Sequence, residues 1–264
     1  MNNLRKYGQQ PFNIAVIHGG PGAPGEMAAV ARELSPDMGV LEPLQTANSI
    51  QGQVEELKII LGKYGNPPLI LIGFSWGAWL SYIFAARHPL LVKKLILIGS
   101  GPFEEKYAAK IIETRLNHLN ADEREEALTL LGVMNSGDLK GKDFARFGEL
   151  MNKADACDPL PHDSEILPCN PDIYQKVWTE ADKMRSSGEL LQLGKKIQCR
   201  IVAIHGDYDP HPAEGVKKPL ARVLKDFRFI LLGKCGHCPW LERHAKDNFY
   251  DTLRREIGLL ENKS

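Results

Sequence analysis

The sequence predicts an α/β fold, in which a mostly parallel sheet is flanked by helices and interrupted by a helical insertion. Short, uniformly apolar runs recur along the chain, and such runs are typical of strands that are buried on both faces of a parallel sheet. Segments with helical spacing of apolar residues separate these runs, which indicates strand–helix alternation. The alternation stops near the middle of the chain and later resumes, which predicts an insertion.

The first hundred residues supply most of the predicted strands and helices. The predicted strands cover residues 12–17, 38–41, 69–72 and 95–98. The predicted helices cover residues 26–34, 50–61 and 76–86. Glycine, asparagine and two prolines at residues 65–68 end the second helix, because proline cannot continue it.

The middle of the chain changes character. From residue 103 to about 195 no strong strand pattern occurs, and charged amphipathic segments dominate, with a proline-rich loop at 157–172. Strand patterns return at 201–204 and 227–232, and a last helix is expected over 239–257. We therefore predict a core formed by residues 1–101 and 196–264 and a helical insertion formed by residues 102–195.

The composition excludes several classes of partner. The chain has 264 residues, enough for a sizeable core, and its 33 Lys and Arg balance 33 Asp and Glu. This balance disfavours nucleic acid and acidic membrane surfaces as partners and leaves a small molecule as the expected one. The first residues contain no apolar segment typical of a secretory signal, and five cysteines do not suggest a disulfide framework. We expect a cytoplasmic protein with reduced thiols, of undetermined oligomeric state.

A serine stands between two glycines directly after an apolar strand. The segment G-F-S-W-G at residues 73–77 fits the nucleophile elbow G-x-S-x-G. Glycines permit the tight strand-to-helix turn that pushes the serine out of the core, and the following helix directs its N-terminus at any anion formed there. This pattern predicts Ser75 as a nucleophile.

A serine hydroxyl needs a general base, and candidates follow later in the chain. His237 lies in the segment G-H-C-P-W after the strand predicted at 227–232, and we expect it to take the proton from Ser75. The acid that orients this histidine is expected in H-G-D-Y-D-P at 205–210, where Asp207 and Asp209 compete for the role. Both segments follow predicted strands, at the edge of the sheet where active sites form.

The segment H-G-G-P-G at residues 18–22 follows the first predicted strand. A glycine-rich turn exposes backbone N–H groups, so the N–H of Gly20 and that of Trp76 are predicted to form an oxyanion hole. His18, Gly19 and the Trp76 side chain are predicted to contact the substrate. The segment lacks the spacing of a nucleotide-binding loop.

With these four motifs the chain resembles the α/β-hydrolase fold superfamily, over roughly residues 12–100 and 197–258. In that superfamily the acid lies three residues after the glycine of the G-x-x-D turn, which implies Asp209 because Gly206 is that glycine. The resemblance also implies that the insertion is the family's cap, which covers the pocket. Only about eleven residues precede the first predicted strand, so the family's N-terminal hairpin is expected to be missing or reduced.

The segments H-G-G-P-G and G-x-S-W-G also resemble prolyl aminopeptidases (proline iminopeptidases). The chain departs from that branch at 41–47, where L-E-P-L-Q-T-A replaces the usual D-x-R-G-x-G-x-S segment. Its elbow also reads G-F-S-W-G rather than G-G-S-W-G. The insertion contains several acids, including Asp155, Asp158, Asp163 and Glu165, but the sequence assigns none of them to binding an amino terminus.

Other residues of interest have simpler interpretations. Cys235 and Cys238 flank His237, but no second Cys/His pair completes a zinc site, so we expect no metal and no redox role. Three further histidines are expected at the surface or in loops, namely His162, His211 and His244. Trp79 is expected in the core.

The sequence therefore predicts a cofactor-free serine hydrolase that acts on a small-molecule ester or amide through a Ser75–His237–Asp209 triad and an acyl-enzyme. A carboxylic ester hydrolase is favoured. The alternatives are an aminopeptidase similar to proline iminopeptidases, and a binding or receptor protein of low turnover on the same fold.

Overall fold

The computed structural model describes residues 3–22, 24–136, 141–162, 165–167 and 170–259. Seven strands in this part of the chain form one sheet, in the order β1-β3-β2-β4-β5-β6-β7. The strands are β1 (Leu4–Tyr7), β2 (Phe12–Ile17), β3 (Gly39–Pro43), β4 (Leu69–Phe74), β5 (Val92–Ile98), β6 (Arg200–Gly206) and β7 (Phe227–Leu232). All neighbouring pairs are parallel except β1 with β3. The predicted mostly parallel sheet is confirmed.

Helices cover both faces of the sheet. Those that alternate with the strands are α1 (Ala28–Leu34), α2 (Ile50–Tyr64), α3 (Trp76–Arg87), α10 (Glu214–Val223) and α11 (Lys246–Ile257). Strand β4 shows why the apolar runs are uniform. Leu69 and Leu71 pack into the core cluster that contains α2 and α3, whereas Ile70 and Ile72 pack into the cluster that contains α1 and α11. Alternate side chains of one strand thus fill two cores.

The structure differs from the sequence prediction near both ends of the chain. Strand β1 was not predicted, because it is four residues long and only Leu4 is buried in it. The family's N-terminal hairpin, which was expected to be missing or reduced, is represented by this single antiparallel strand. The continuous helix predicted over 239–257 is wrong, because a 3-10 turn at Pro239–Leu241 is followed by irregular backbone until α11 begins.

The segment between β5 and β6 is helical. It contains α4 (Glu105–Ala108), α5 (Ile111–His118), α6 (Ala121–Ser136), α7 (Gly141–Ala154), α8 (Pro171–Ser186) and α9 (Glu189–Gln192). Leu116, Leu150 and Met151 belong to a small core of its own, while Val177 of α8 packs into the core of the sheet. We keep the name helical insertion for residues 102–195, and these boundaries stay a prediction. Asp163 lies outside the described residues.

The lengths and compositions of the helices bear on whether any could span a membrane. None of those within the described ranges is both long enough and apolar enough to cross a bilayer.

Candidate active site

Ser75 lies on a strained turn between β4 and α3. Its backbone has φ 51° and ψ −115°, a left-handed conformation that is unfavourable for serine and is characteristic of functional turns. The Ser75 N–H donates to the carbonyl of Ile98 at 2.9 Å, which anchors the turn to β5. A methyl group at Gly77 would lie 2.5 Å from the His18 carbonyl oxygen, and one at Gly73 would lie 2.6 Å from the Gly77 carbonyl carbon. Both glycines of the motif are therefore required by close backbone packing.

The elbow opens into a cavity between the sheet edge and the helical insertion. The cavity measures about 1230 Å³, a size that admits a small-molecule ligand. Its wall includes Ser75 and His237 from the core and Arg115 and Asp155 from the insertion. The predicted nucleophile and base therefore face one space, and the insertion supplies part of its wall.

His237 is held by Asp209. Its Nδ1 lies 2.7 Å from Asp209 Oδ2, and both side chains are buried. A carboxylate only accepts hydrogen bonds, so Nδ1 carries the proton and Nε2 is left as the acceptor. Asp207 does not take this role, because it is exposed and its Oδ1 accepts the N–H of Cys235 at 3.1 Å. The geometry thus supports Asp209 over Asp207 as the acid that orients the histidine.

The electrostatics of the pair suit this arrangement. Burial by itself would raise the pKa of Asp209, but the neighbouring histidines hold it well below its ordinary value. Burial also opposes a charge on His237, and the Asp209 carboxylate outweighs this and raises the pKa of His237. Asp209 therefore stays ionised and stabilises an imidazolium at His237.

Core and insertion both position His237. The Phe74 ring lies 4.8 Å from the imidazole ring between centroids, and the His237 N–H donates to the carbonyl oxygen of Asp155 at 2.8 Å. Gly99, at φ +50°, lies against it so closely that a methyl group there would be 3.0 Å from Nδ1. The imidazole is therefore restrained on several sides.

Gly20 and Trp76 are the two residues whose N–H groups are predicted to form the oxyanion hole. Both line the cavity with Ser75, and Trp76 is the first residue of α3, where an N–H has no partner within the helix. Gly20 has φ +37°, a conformation that favours glycine. The Trp76 indole Nε1 donates to Gln53 Oε1 at 3.0 Å, which fixes the side chain in the wall.

A comparison with known families adds to this geometry. The model of the α/β hydrolase fold family matches residues 42–243, well over half of the chain. The chain belongs to the α/β-hydrolase fold family. This membership confirms the fold class and the superfamily resemblance, and it indicates a hydrolase. The sequence matches no curated protein.

Solved structures that resemble this α/β-hydrolase share its fold at low sequence identity. VinJ superimposes with a TM-score of 0.70 at 20% identity, covering 97% of this chain and 94% of VinJ. A proline iminopeptidase from Mycobacterium smegmatis gives a TM-score of 0.63 at 17% identity, covering 97% and 94%. A thermophilic esterase from Thermogutta terrifontis gives 0.64 at 16%, covering 96% and 92%. At these identities the likeness extends to the fold alone.

His18 and Gly19 of this α/β-hydrolase do not face the cavity. His18 is fully buried, its Nε2 accepts the N–H of Gln45 at 3.3 Å, and its Nδ1 bonds to the Gly19 carbonyl oxygen at 2.7 Å. Burial lowers the pKa of His18 to about 4, so the ring stays neutral. The Gly19 N–H donates to Glu26 at 3.0 Å. These contacts do not support the predicted substrate-binding roles, and they show instead that both residues shape the turn that carries Gly20.

Sequence reasoning missed Glu26. This half-buried acid lines the cavity, and its Oε2 accepts the Gly19 N–H. Burial raises the pKa of Glu26 to about 7, although His237 and the Gly19 N–H partly oppose this. In the sequence, the indication of Glu26 was that an acid stands four residues after H-G-G-P-G. That this acid lies in the cavity wall follows only from the fold.

His211 was expected at the surface or in a loop, and of these two positions the structure shows the loop. His211 lies in a loop but is buried, lines the cavity and bonds to Asp209. The ligand atoms of Asp209, His211 and His237 lie within 4.8 Å of one another. In each histidine, however, Nδ1 points at an Asp209 oxygen and not at a common centre. This is the geometry of a hydrogen-bonded network, as found around a catalytic triad.

The remaining residues noted in the sequence, Trp79, Cys235 and Cys238, lie in the core or in the cavity wall. Trp79 is buried, as expected, with Nε1 donating to the Gly101 carbonyl oxygen at 3.1 Å. Cys235 is buried and Cys238 lines the cavity. Burial raises the pKa of both thiols, so the thiolate needed for nucleophilic or redox chemistry is disfavoured.

Proposed function

We propose that this α/β-hydrolase is a serine hydrolase that acts on a small-molecule carboxylic ester. The observation that carries the proposal is the buried hydrogen bond of 2.7 Å between His237 and Asp209, together with the fact that His237 and the strained Ser75 line the same cavity. A serine at positive φ is unfavourable in a purely structural turn. A reaction that needs an exposed hydroxyl at this position accounts for a serine in this conformation.

In the first half of the reaction, His237 Nε2 removes the Ser75 hydroxyl proton while Oγ attacks the carbonyl carbon of the ester. The carbonyl π bond opens, and the resulting oxyanion accepts hydrogen bonds from the N–H groups of Gly20 and Trp76. Asp209 stabilises the imidazolium that has formed. Collapse of the tetrahedral intermediate breaks the bond to the alkoxide, which takes the proton from His237 and leaves as an alcohol.

In the second half, a water molecule replaces the alcohol. His237 takes one proton from this water as its oxygen attacks the acyl carbon, and the same N–H groups bind the second oxyanion. The bond to Ser75 Oγ then breaks, the serine recovers its proton from His237, and a carboxylic acid is released. No step requires a metal or an organic cofactor.

An aminopeptidase is the second candidate, and Glu26 is the observation that favours it. Glu26 lines the cavity, and within the described residues no Lys or Arg pairs with it. An acid in this position is suited to a substrate ammonium group. The segment at 41–47 and the G-F-S-W-G form of the elbow depart from the prolyl aminopeptidase pattern, which supports the ester hydrolase as the first choice.

The proposal is tested by steady-state hydrolysis of p-nitrophenyl butyrate beside prolyl and alanyl p-nitroanilides. Ser75→Ala should lower ester kcat/KM by at least about 10³-fold, since removing the nucleophile removes the acyl-enzyme route. Ser187→Ala, at an exposed serine after α8, is the matched control and should hydrolyse at the wild-type rate.

The outcomes separate the alternatives. Equal rates for wild type and Ser75→Ala would refute the nucleophile. A strong preference for the prolyl anilide would establish the aminopeptidase. Labelling of Ser75 by a fluorophosphonate with almost no turnover of any substrate would favour a binding protein.

A further inference from the structure

Asp209 binds two histidines in the active site. Its Oδ2 bonds to Nδ1 of His237 at 2.7 Å, and its Oδ1 bonds to Nδ1 of His211 at 2.8 Å. The backbone N–H of His211 also donates to Oδ1, at 2.9 Å. The two imidazole rings are stacked with centroids 4.6 Å apart and planes 30° apart. One buried carboxylate thus holds a second imidazole beside the catalytic one.

The protonation state of His211 follows from these contacts. Asp209 is an ionised carboxylate and only accepts hydrogen bonds, so Nδ1 of His211 carries a proton. Burial lowers the pKa of His211, and the attraction of Asp209 only partly offsets this. His237, by contrast, has a raised pKa and takes the positive charge when one forms. His211 is therefore neutral, and its Nε2 has a free lone pair.

This lone pair meets the cavity. His211 is 8% exposed and lines the same cavity as Ser75 and His237. Because the Nδ1 edge of the ring faces Asp209 inside the wall, the opposite edge, which carries Nε2, is the one that reaches the cavity. Nε2 has no hydrogen-bond partner among the described residues. An acceptor in a cavity wall that has no partner within the protein is a site for a donor from a ligand.

Two neighbouring polar groups of the wall are already satisfied. Arg115 donates to both oxygens of Asp155, at 2.6 and 2.7 Å. Glu242 accepts the backbone N–H groups of Gly236, Cys157 and Asp158. His211 Nε2 differs from these groups because its ring is held in place by Asp209 while Nε2 itself has no hydrogen-bond partner among the described residues.

We propose that His211 is a specificity-determining residue whose Nε2 accepts a hydrogen bond from an O–H or N–H group of the substrate, a few bonds from the scissile carbonyl. The substrate class is an ester that carries a hydroxyl or amine near the ester group. The inference rests on the proposed serine hydrolase function. The distance to the carbonyl follows from the stacking of His211 on His237, which acts on the reacting atoms.

The test measures the ratio of kcat/KM for a hydroxylated ester to that for its unsubstituted partner. Two pairs of probes place the hydroxyl on either side of the carbonyl. In the first pair, p-nitrophenyl 3-hydroxybutyrate is compared with p-nitrophenyl butyrate, and in the second, 2-hydroxyethyl butyrate is compared with ethyl butyrate. Wild type should prefer the hydroxylated member of at least one pair, because only that member pairs with Nε2.

Two variants of His211 separate the functions of its two ring nitrogens, and a variant of His244 is the control. His211→Asn keeps a donor toward Asp209 but ends short of Nε2, and it should lower the selectivity ratio about tenfold, the loss of one hydrogen bond. His211→Gln places an amide oxygen near the Nε2 position and should retain part of the ratio. His244→Asn, at an exposed histidine, should leave the ratio at the wild-type value.

A ratio in His211→Asn equal to that of wild type would overturn the proposal, whether the individual rates fall together or stay the same. Equal loss on both probes would mean that His211 acts only through Asp209.

Calorimetric binding of the same probes to Ser75→Ala and to Ser75→Ala/His211→Asn gives a readout that needs no turnover. A binding preference that disappears with His211→Asn while no variant hydrolyses ester would refute the hydrolase and keep the specificity residue.

Discussion

Glu26→Gln should change how the stability of the protein depends on pH. Burial raises the pKa of Glu26 from an ordinary 4.5 to about 7, so between these values the folded state binds a proton that the unfolded chain has released. The wild-type protein therefore loses stability as pH rises through this window. Each pH unit between the two pKa values is worth about 1.4 kcal/mol, which gives at most about 3 kcal/mol. Solvent in the cavity reduces this to about 2 kcal/mol.

The glutamine variant does not titrate, and its amide oxygen still accepts the Gly19 N–H that Glu26 accepts now. Urea unfolding at pH 4.5 and pH 8 gives the free energy of unfolding of both proteins. The stability of Glu26→Gln relative to wild type should rise by about 2 kcal/mol from the lower to the higher pH. Glu125→Gln removes an exposed carboxyl on α6 and should show no such change. A difference between Glu26→Gln and wild type that is the same at both pH values would refute the reasoning.

Two further predictions concern the triad and the elbow. Asp209→Asn should lower ester kcat by about 10³- to 10⁴-fold in steady-state assays, because an amide does not stabilise the imidazolium at His237. Unchanged kcat would contradict the role of Asp209. Gly77→Ala should lower the melting temperature by at least several degrees, because the added methyl group would collide with the carbonyl oxygens of Ile17 and His18. A melting temperature within one degree of wild type would show that the turn relaxes easily.

Much of the fold was predictable because it follows from local patterns. Strands buried on both faces have to be uniformly apolar, and the runs around residues 69–72 and 201–204 meet that requirement without ambiguity. The elbow was predictable because close backbone packing at Gly73 and Gly77 permits only glycine. By contrast, β1 was missed because a short edge strand with one buried residue has no periodicity to detect.

The residues that sequence reasoning missed owe their positions to contacts between distant parts of the chain. His211 reads as an ordinary loop residue, and only its bond to Asp209 and its stacking on His237 bring it into the site. Glu26 reaches the cavity because the turn after β2 folds back, so that its carboxylate meets the Gly19 N–H. The H-G-G-P-G segment predicted that His18 contacts the substrate, yet its ring is hydrogen-bonded inside the turn. The motifs therefore predicted where the candidate site lies, whereas burial and hydrogen bonding indicate which side chains face the cavity.

The helical insertion is attached to the loop that carries His237, the proposed general base. Glu242, which is 1% exposed, accepts the Gly236 N–H at 3.0 Å and the Cys157 and Asp158 N–H groups at 2.9 and 2.8 Å. One carboxylate thus bonds to the backbone on both sides of the boundary between insertion and core.

A second contact reinforces this attachment. The His237 N–H donates to the carbonyl oxygen of Asp155, whose side chain is paired with Arg115 of α5 in the cavity wall. A displacement of residues 155–158 away from the core would leave the N–H groups of His237, Cys157 and Asp158 without their present partners. Each of these groups that stayed buried would cost about 1–3 kcal/mol. This part of the insertion and His237 therefore form one hydrogen-bonded unit. We therefore expect a substitution of Arg115 or Asp155 to change the position of His237 as well as the shape of the cavity.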